Sequence, residues 1–190
     1  MKVATLPRRS DGAADGPTDD RLARAWAALE AVPDPEIPVV SIRELGILRD
    51  ITAASDGTLE VVITPTYSGC PAMSQIAEDI GQALDDAGLA PWRIRTVLAP
   101  AWTTDWITPA ARERLREFGI APPGQCGTAA AAQELRFVPR AARAGAPDTV
   151  VCPRCGSVHT QEISRFASTA CKALYRCLDC REPFDYFKPY

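Results

Sequence analysis

The sequence predicts an α+β domain of helices on a three-stranded sheet, followed by a second, smaller β module held by cysteines. Three observations carry this. Apolar positions at helical spacing alternate with short period-2 runs as far as Gly119. Residues 121–149 then turn rich in Ala, Pro, Gly and Arg. Beyond them stand two Cys-x-x-Cys pairs separated by 21 residues.

Each element has its own justification. Residues 1–18 are Gly, Asp, Arg and Pro rich and are expected to be a disordered leader. Asp19 or Asp20 can cap a helix whose apolar positions are Leu22, Ala25, Trp26, Leu29 and Val32, and Pro33 ends it. Asp34-Pro35-Glu36-Ile37-Pro38 must be a stiff turn, because a residue before proline avoids the helical region. A strand is expected over Leu45–Ile51, a hairpin at Asp56-Gly57, and a second strand carrying Leu59, Val61 and Ile63. The loop Thr66–Gly69 leads to Cys70-Pro71, with Pro71 suited to the first position of a helix that runs to Gly88. Trp92, Ile94, Thr96 and Leu98 mark a third strand. A loop at 100–105 follows, and a last helix runs from Thr108-Pro109 to Gly119. The expected domain thus spans 19–120, the linker 121–149 with room for a short helix near Ala129–Glu134, and the cysteine module 150–190.

Composition excludes several classes. The chain has 190 residues, 46% of them hydrophobic, which is enough for a core. It holds no run of about 18 apolar residues, so no membrane span is expected. The N-terminal stretch lacks the apolar centre of a signal peptide, so a cytoplasmic protein is expected. Net charge is −3: −6 over residues 1–120, +1 over 121–149 and +2 over 150–190. No segment is basic enough for the counter-ion footprint of a nucleic-acid binder. In a reducing compartment, seven cysteines point to metal ligands or reactive thiols rather than disulfides.

The strongest chemical signal is Cys152-Pro-Arg-Cys155 with Cys177-Leu-Asp-Cys180. Two such knuckles can offer four thiolates to one tetrahedral ion with no position left open. That is the pattern of a structural zinc ribbon, and iron can use the same ligands. About 40 residues cannot build a sufficient core alone, so the metal folds the module. Cys171 is left over: a small residue packed on a ribbon strand, or a transient ligand or reactive thiol beside Lys172. His159, the sole histidine, is expected to be a polar loop residue, and Cys126 carries no motif. Cys70 stands at the expected helix N-cap, where exposed amides and the helix dipole would favour its thiolate. Asp34 and Glu36 fit either a solvated acidic turn or a pair facing a metal or a partner. Trp102 and Trp106 fit either a partner contact or a plug in the core. The chain has no glycine-rich nucleotide loop and no GxSxG, and the only histidine is in the other module from Cys70.

Asp34-Pro-Glu36, the segment Ser41–Asp50 and Thr64-Pro-Thr-Tyr-Ser-Gly-Cys70-Pro71 resemble the small iron–sulfur assembly domain of SufT-like proteins. The tail resembles the zinc ribbon of the PaaD-like family: Cys152–Ser157, Ser168–Cys177 and Cys180–Lys188. Ala167, Pro189 and a longer linker depart from the pattern. The resemblance implies an accessory factor that is not itself an enzyme. It would work beside a phenylacetyl-CoA monooxygenase (epoxidase) with a di-iron oxygenase and an iron–sulfur reductase. The implied task is to mature or repair a metal centre in those proteins. Cys70 would hold iron or a cluster transiently, together with Cys171, beside the acidic turn of Asp34 and Glu36. Zinc in the ribbon would be structural. A structural or regulatory component of the oxygenase complex is the alternative, and association with a second copy stays open.

Overall fold

The computed structural model describes residues 17–124 and 149–190. Of the expected leader, residues 1–16 lie outside the described residues, as do Cys126 and the short helix near Ala129–Glu134, while residues 17–18 are helical. Helix α1, Pro17–Glu30, begins before Asp19 and Asp20, so neither caps it; both stand in its first turn, where the helix dipole favours negative charge. Its Ala25 and Leu29 are fully buried.

The chain then folds over itself before the first strand. Val40 and Asp34 close a loop through Asp34 N–H to Val40 O at 2.9 Å, and Leu45 N–H reaches Ser41 O at 3.0 Å. Gly46 has φ +73° and lies so close to Trp106 that a Cβ there would meet the Trp106 Cβ at 2.7 Å. This turn takes up Leu45 and Gly46, so β1 is Leu48–Ala53 and not Leu45–Ile51. Leu45 and Ile47 are nevertheless buried, which is why their apolar pattern imitates a strand.

Strand β1 pairs antiparallel with β2, Leu59–Ile63, through the Asp56-Gly57 turn, where Gly57 has φ +80°. Helix α2, Met73–Asp86, crosses over to β3, Trp92–Thr96, which pairs parallel with β2. The third strand stops at Thr96, and Leu98 beyond it is exposed. Helix α3, Pro109–Phe118, is capped by the Thr108 hydroxyl, which accepts from Ala111 N–H at 3.2 Å, and ends at Gly119 with φ +102°.

The second sheet has the order β4-β7-β6-β5. Here β4 is Ile120–Ala121, β5 Thr160–Ser164, β6 Lys172–Cys177 and β7 Pro183–Phe187. Ala121, where the linker is expected to begin, is a strand residue: β4 leaves α3 and pairs parallel with β7. The first module therefore donates a strand to the second. The exchange also runs the other way. The main core of Leu29, Ile42, Leu59, Ile76, Ile80 and Leu84 includes Cys171 and Phe187 from the cysteine module. Burying a large apolar side chain is worth about 1.5–3 kcal/mol, so both modules draw stability from one shared core. Among the described residues no helix is long and apolar enough to cross a membrane.

Candidate functional site

At the ribbon tip, Cys152 and Cys155 lie on one turn, while Cys177 ends β6 and Cys180 precedes β7. Their four sulfurs all lie within 4.8 Å of one another. The Cys152–Cys180 and Cys155–Cys177 separations are 3.8 and 3.5 Å. A zinc ion with Zn–S bonds of about 2.3 Å has tetrahedral edges of about 3.8 Å, so the four thiols fit one ion of that size. Their electrostatics say the same. Burial pushes Cys177 up, yet backbone N–H groups of Cys180 and Asp179 and the adjoining thiols outweigh it and pull it down to about 6. The Glu182 N–H favours the Cys180 thiolate, but burial and the other three sulfurs push it up to about 12. Four sulfurs this close cannot all ionise without a cation among them. The fit is to a structural site with all four positions taken, and the chemistry an ion supplies there is cross-linking.

A second cluster lies at the junction of the modules. The acidic turn follows α1. Asp34 is buried, and its Oδ1 accepts from Glu36 N–H at 2.9 Å and Ile37 N–H at 2.8 Å. Those bonds fix the turn. Glu36 is half-buried. Burial raises both carboxyls; the charge of Asp34 raises Glu36 further, and Lys172 acts against both shifts. Cys70 is half-buried on the loop between β2 and α2 and packs against the main core. Cys171, immediately before β6, is buried in that core and its sulfur is 2.9 Å from Thr169 Oγ1. Burial raises the Cys171 thiol, and the charges of Glu36 and Cys70 raise it further.

Cys70 corrects the sequence expectation. Helix α2 begins at Met73 with Ala72 as its N-cap, so Cys70 stands outside the helix and Pro71 is not its first residue. The Ala72 N–H and the Thr66 hydroxyl do favour the thiolate, but burial, helped by Glu36 and Asp34, prevails and raises the thiol. The helix terminus does not activate this cysteine.

Of the two readings the sequence leaves open for Trp102, the structure has the plug in the core. It is 5% exposed, donates from Nε1 to Leu45 O at 2.9 Å, and packs on Phe187 and Tyr190 with ring centroids 6.0 and 6.2 Å away. It seals the module junction and offers no surface to a partner. Trp106 is half-buried, with the Arg49 guanidinium 3.4 Å from its ring centroid. His159 lies at the exposed ribbon tip with Nδ1 3.4 Å from Asp179 Oδ1. Sequence reasoning missed Lys172 as a site residue. Although lysine is rarely buried, this one is 4% exposed and its Nζ lies 3.5 Å from Asp185 Oδ2. Its position next to Cys171 was the available signal. Tyr67 was also missed; burial raises its phenol, and Cys70, Cys171 and Glu36 all act on it.

Comparison with known proteins matches two separate stretches of the chain. Residues 22–91 match the family model of an iron-sulfur cluster assembly protein, and residues 136–188 match that of the PaaD zinc beta ribbon domain. A protein of Escherichia coli (strain K12), provisionally named as one of the subunits of 1,2-phenylacetyl-CoA epoxidase, is 51% identical over 163 residues, covering 86% of this chain and 90% of its own. The chain belongs to the PaaD family of phenylacetyl-CoA epoxidase subunits. The part of this PaaD-family chain before the ribbon also resembles a shorter protein. An Fe-S protein maturation auxiliary factor of Porphyromonas gingivalis is 32% identical over 93 residues, 48% of this chain and 85% of that protein. A solved structure of a domain of unknown function, DUF59, from Bacillus anthracis is 29% identical. It covers 52% of this chain and 93% of its own, with a TM-score of 0.47.

Proposed function

We propose that this PaaD-family chain is a maturation factor for a phenylacetyl-CoA epoxidase, and that it is not one of the catalysts of the epoxidation. Its clients are the oxygenase and reductase components, and iron or an iron–sulfur unit is its cargo. The observation that carries this reading is the match of residues 22–91 to the assembly-protein model, a stretch that holds the half-buried thiol of Cys70 and the acidic turn of Asp34 and Glu36, whose charges act on that thiol. Such a set suits temporary holding of a metal ion: soft and hard donors together, with thiols that keep their protons until a cation arrives. Zinc at Cys152, Cys155, Cys177 and Cys180 is the ribbon's structural ion, and it keeps Cys171 against the assembly domain.

The experiment is a reconstitution. Oxygenase and reductase purified with full iron complements are given phenylacetyl-CoA with and without this chain. The expected result is equal turnover. A stoichiometric requirement in every round of turnover would overturn maturation and leave a structural or regulatory role in the complex in its place.

A further inference from the structure

His159, the sole histidine, stands in a network that joins the two halves of the ribbon site. Each half is closed on itself. Cys152 N–H reaches Ser157 O at 2.9 Å, and Gly156 turns the first knuckle with φ +75°. Cys177 N–H reaches Glu182 O at 3.0 Å, and Arg181 turns the second knuckle with φ +71°. These local bonds set the spacing within each cysteine pair. They leave the placing of one pair against the other to contacts between the knuckles.

The Asp179 carboxylate makes such contacts with both of its oxygens. Ser157 Oγ donates to Oδ2 at 2.5 Å, and His159 Nδ1 lies 3.4 Å from Oδ1. Ser157 Oγ in turn accepts from His159 N–H at 2.9 Å, and Leu178 N–H reaches His159 O at 2.8 Å. The ladder of β5 on β6 starts only at Thr160 opposite Cys177, so these contacts carry the pairing past the end of the sheet.

Their place relative to the four sulfurs is one-sided. Cys152 and Cys177 are buried, whereas Cys155 and Cys180 are exposed. Ser157 stands two residues after Cys155, and Asp179 immediately precedes Cys180. The network therefore ties together the two loops that carry the exposed sulfurs. An ion leaves a four-thiolate site one ligand at a time, and the sulfurs open to water are the ones a competitor reaches first.

We propose that Asp179, with Ser157 and His159, is a latch between the knuckles that governs how long the ribbon keeps its zinc. All four ligand positions belong to thiolates, so the Asp179 carboxylate is a positioning group and not a ligand. With the knuckles latched, a thiolate that lets go of the ion stays beside it and rebinds. The His159 and Asp179 side chains are 72% and 56% exposed, so their contact adds little to folding by itself, and the effect falls on the rate at which the ion is lost.

The test is zinc release from the full zinc-loaded chain into an excess of the chromogenic chelator 4-(2-pyridylazo)resorcinol. Asp179→Ala should release zinc at least about tenfold faster than the unaltered chain. Ser157→Ala and His159→Ala should each speed release by less, and either one added to Asp179→Ala should change little more, because its partner is already gone. Asp179→Asn keeps an acceptor for the Ser157 hydroxyl and should fall in between. Glu182→Gln removes an equal charge from the same knuckle and keeps its main-chain bond, so it should release zinc at the unaltered rate. Amide exchange in β5 and β6 of zinc-loaded Asp179→Ala should match that of the unaltered chain. Unaltered release from Asp179→Ala, equally fast release from Glu182→Gln, full additivity of Ser157→Ala with Asp179→Ala, or lost protection in β5 and β6 of the zinc-loaded variant would each overturn the latch.

Discussion

At the residue scale the junction behaves as buried acids behave. Burial, and then the charge of Glu36, raise the Cys70 thiol. Alkylation of Cys70 is therefore expected to be slow at neutral pH, with an apparent pKa above that of an ordinary thiol, and Glu36→Gln should move it downward. A pH profile of the alkylation rate checks both. Asp34 gives a stability test. Its carboxyl is raised in the folded chain, chiefly by burial, so the folded state takes up a proton at higher pH than the unfolded state does. Its contribution to stability thus rises as pH falls from neutral toward the ordinary carboxylate value of about 4. Asp34→Asn keeps an acceptor for the two turn amides and should abolish that rise in urea midpoints measured from about pH 7 to about pH 5. Asp34→Ala leaves two buried donors unmet and should cost about 1–3 kcal/mol throughout that range. The wrong expectation for Cys70 has the same origin. Sequence shows a proline after the cysteine, but it does not show that the helix starts only beyond that proline or that the sulfur is under cover.

At the element scale, most of the fold was legible because its signals are local. The Thr108 cap with Pro109, the left-handed Gly119 and the Asp56-Gly57 turn stand where their chemistry puts them. The displaced β1 and the strand β4 were not legible. Leu45 and Ile47 are buried from within a turn, and Ile120–Ala121 becomes a strand only because β7 of the other module lies alongside. The same limit applied to the site: the four ribbon cysteines announce themselves by spacing, whereas the burial of Cys171 and Lys172 depends on how the modules dock. Two variants probe these elements. Gly119→Ala forces a side chain into φ +102° and places its Cβ 2.6 Å from the end of the flexible Arg154 side chain. The side chain can move aside, so the expected loss is the backbone cost, about 1 kcal/mol by thermal unfolding. Phe187→Ala should cost about 3–5 kcal/mol, and it should loosen both modules together because that ring lies in the shared core.

At the scale of the whole molecule, a metal-held ribbon and an assembly domain exchange parts: a strand goes one way, and Cys171 and Phe187 come back. Removing the ribbon ion with a strong chelator is therefore expected to do more than melt the tail. Amide exchange should quicken in β5, β6 and β7 and also around Trp102, whose ring rests on Phe187 and Tyr190. The central claim concerns what this shared architecture is for. Its most direct test is the iron content, per polypeptide, of the epoxidase oxygenase and reductase purified from cells that lack this chain, that carry it, or that carry Cys70→Ala. Maturation predicts partners short of iron in the first and third cases and fully loaded in the second. Full iron complements in all three would contradict it.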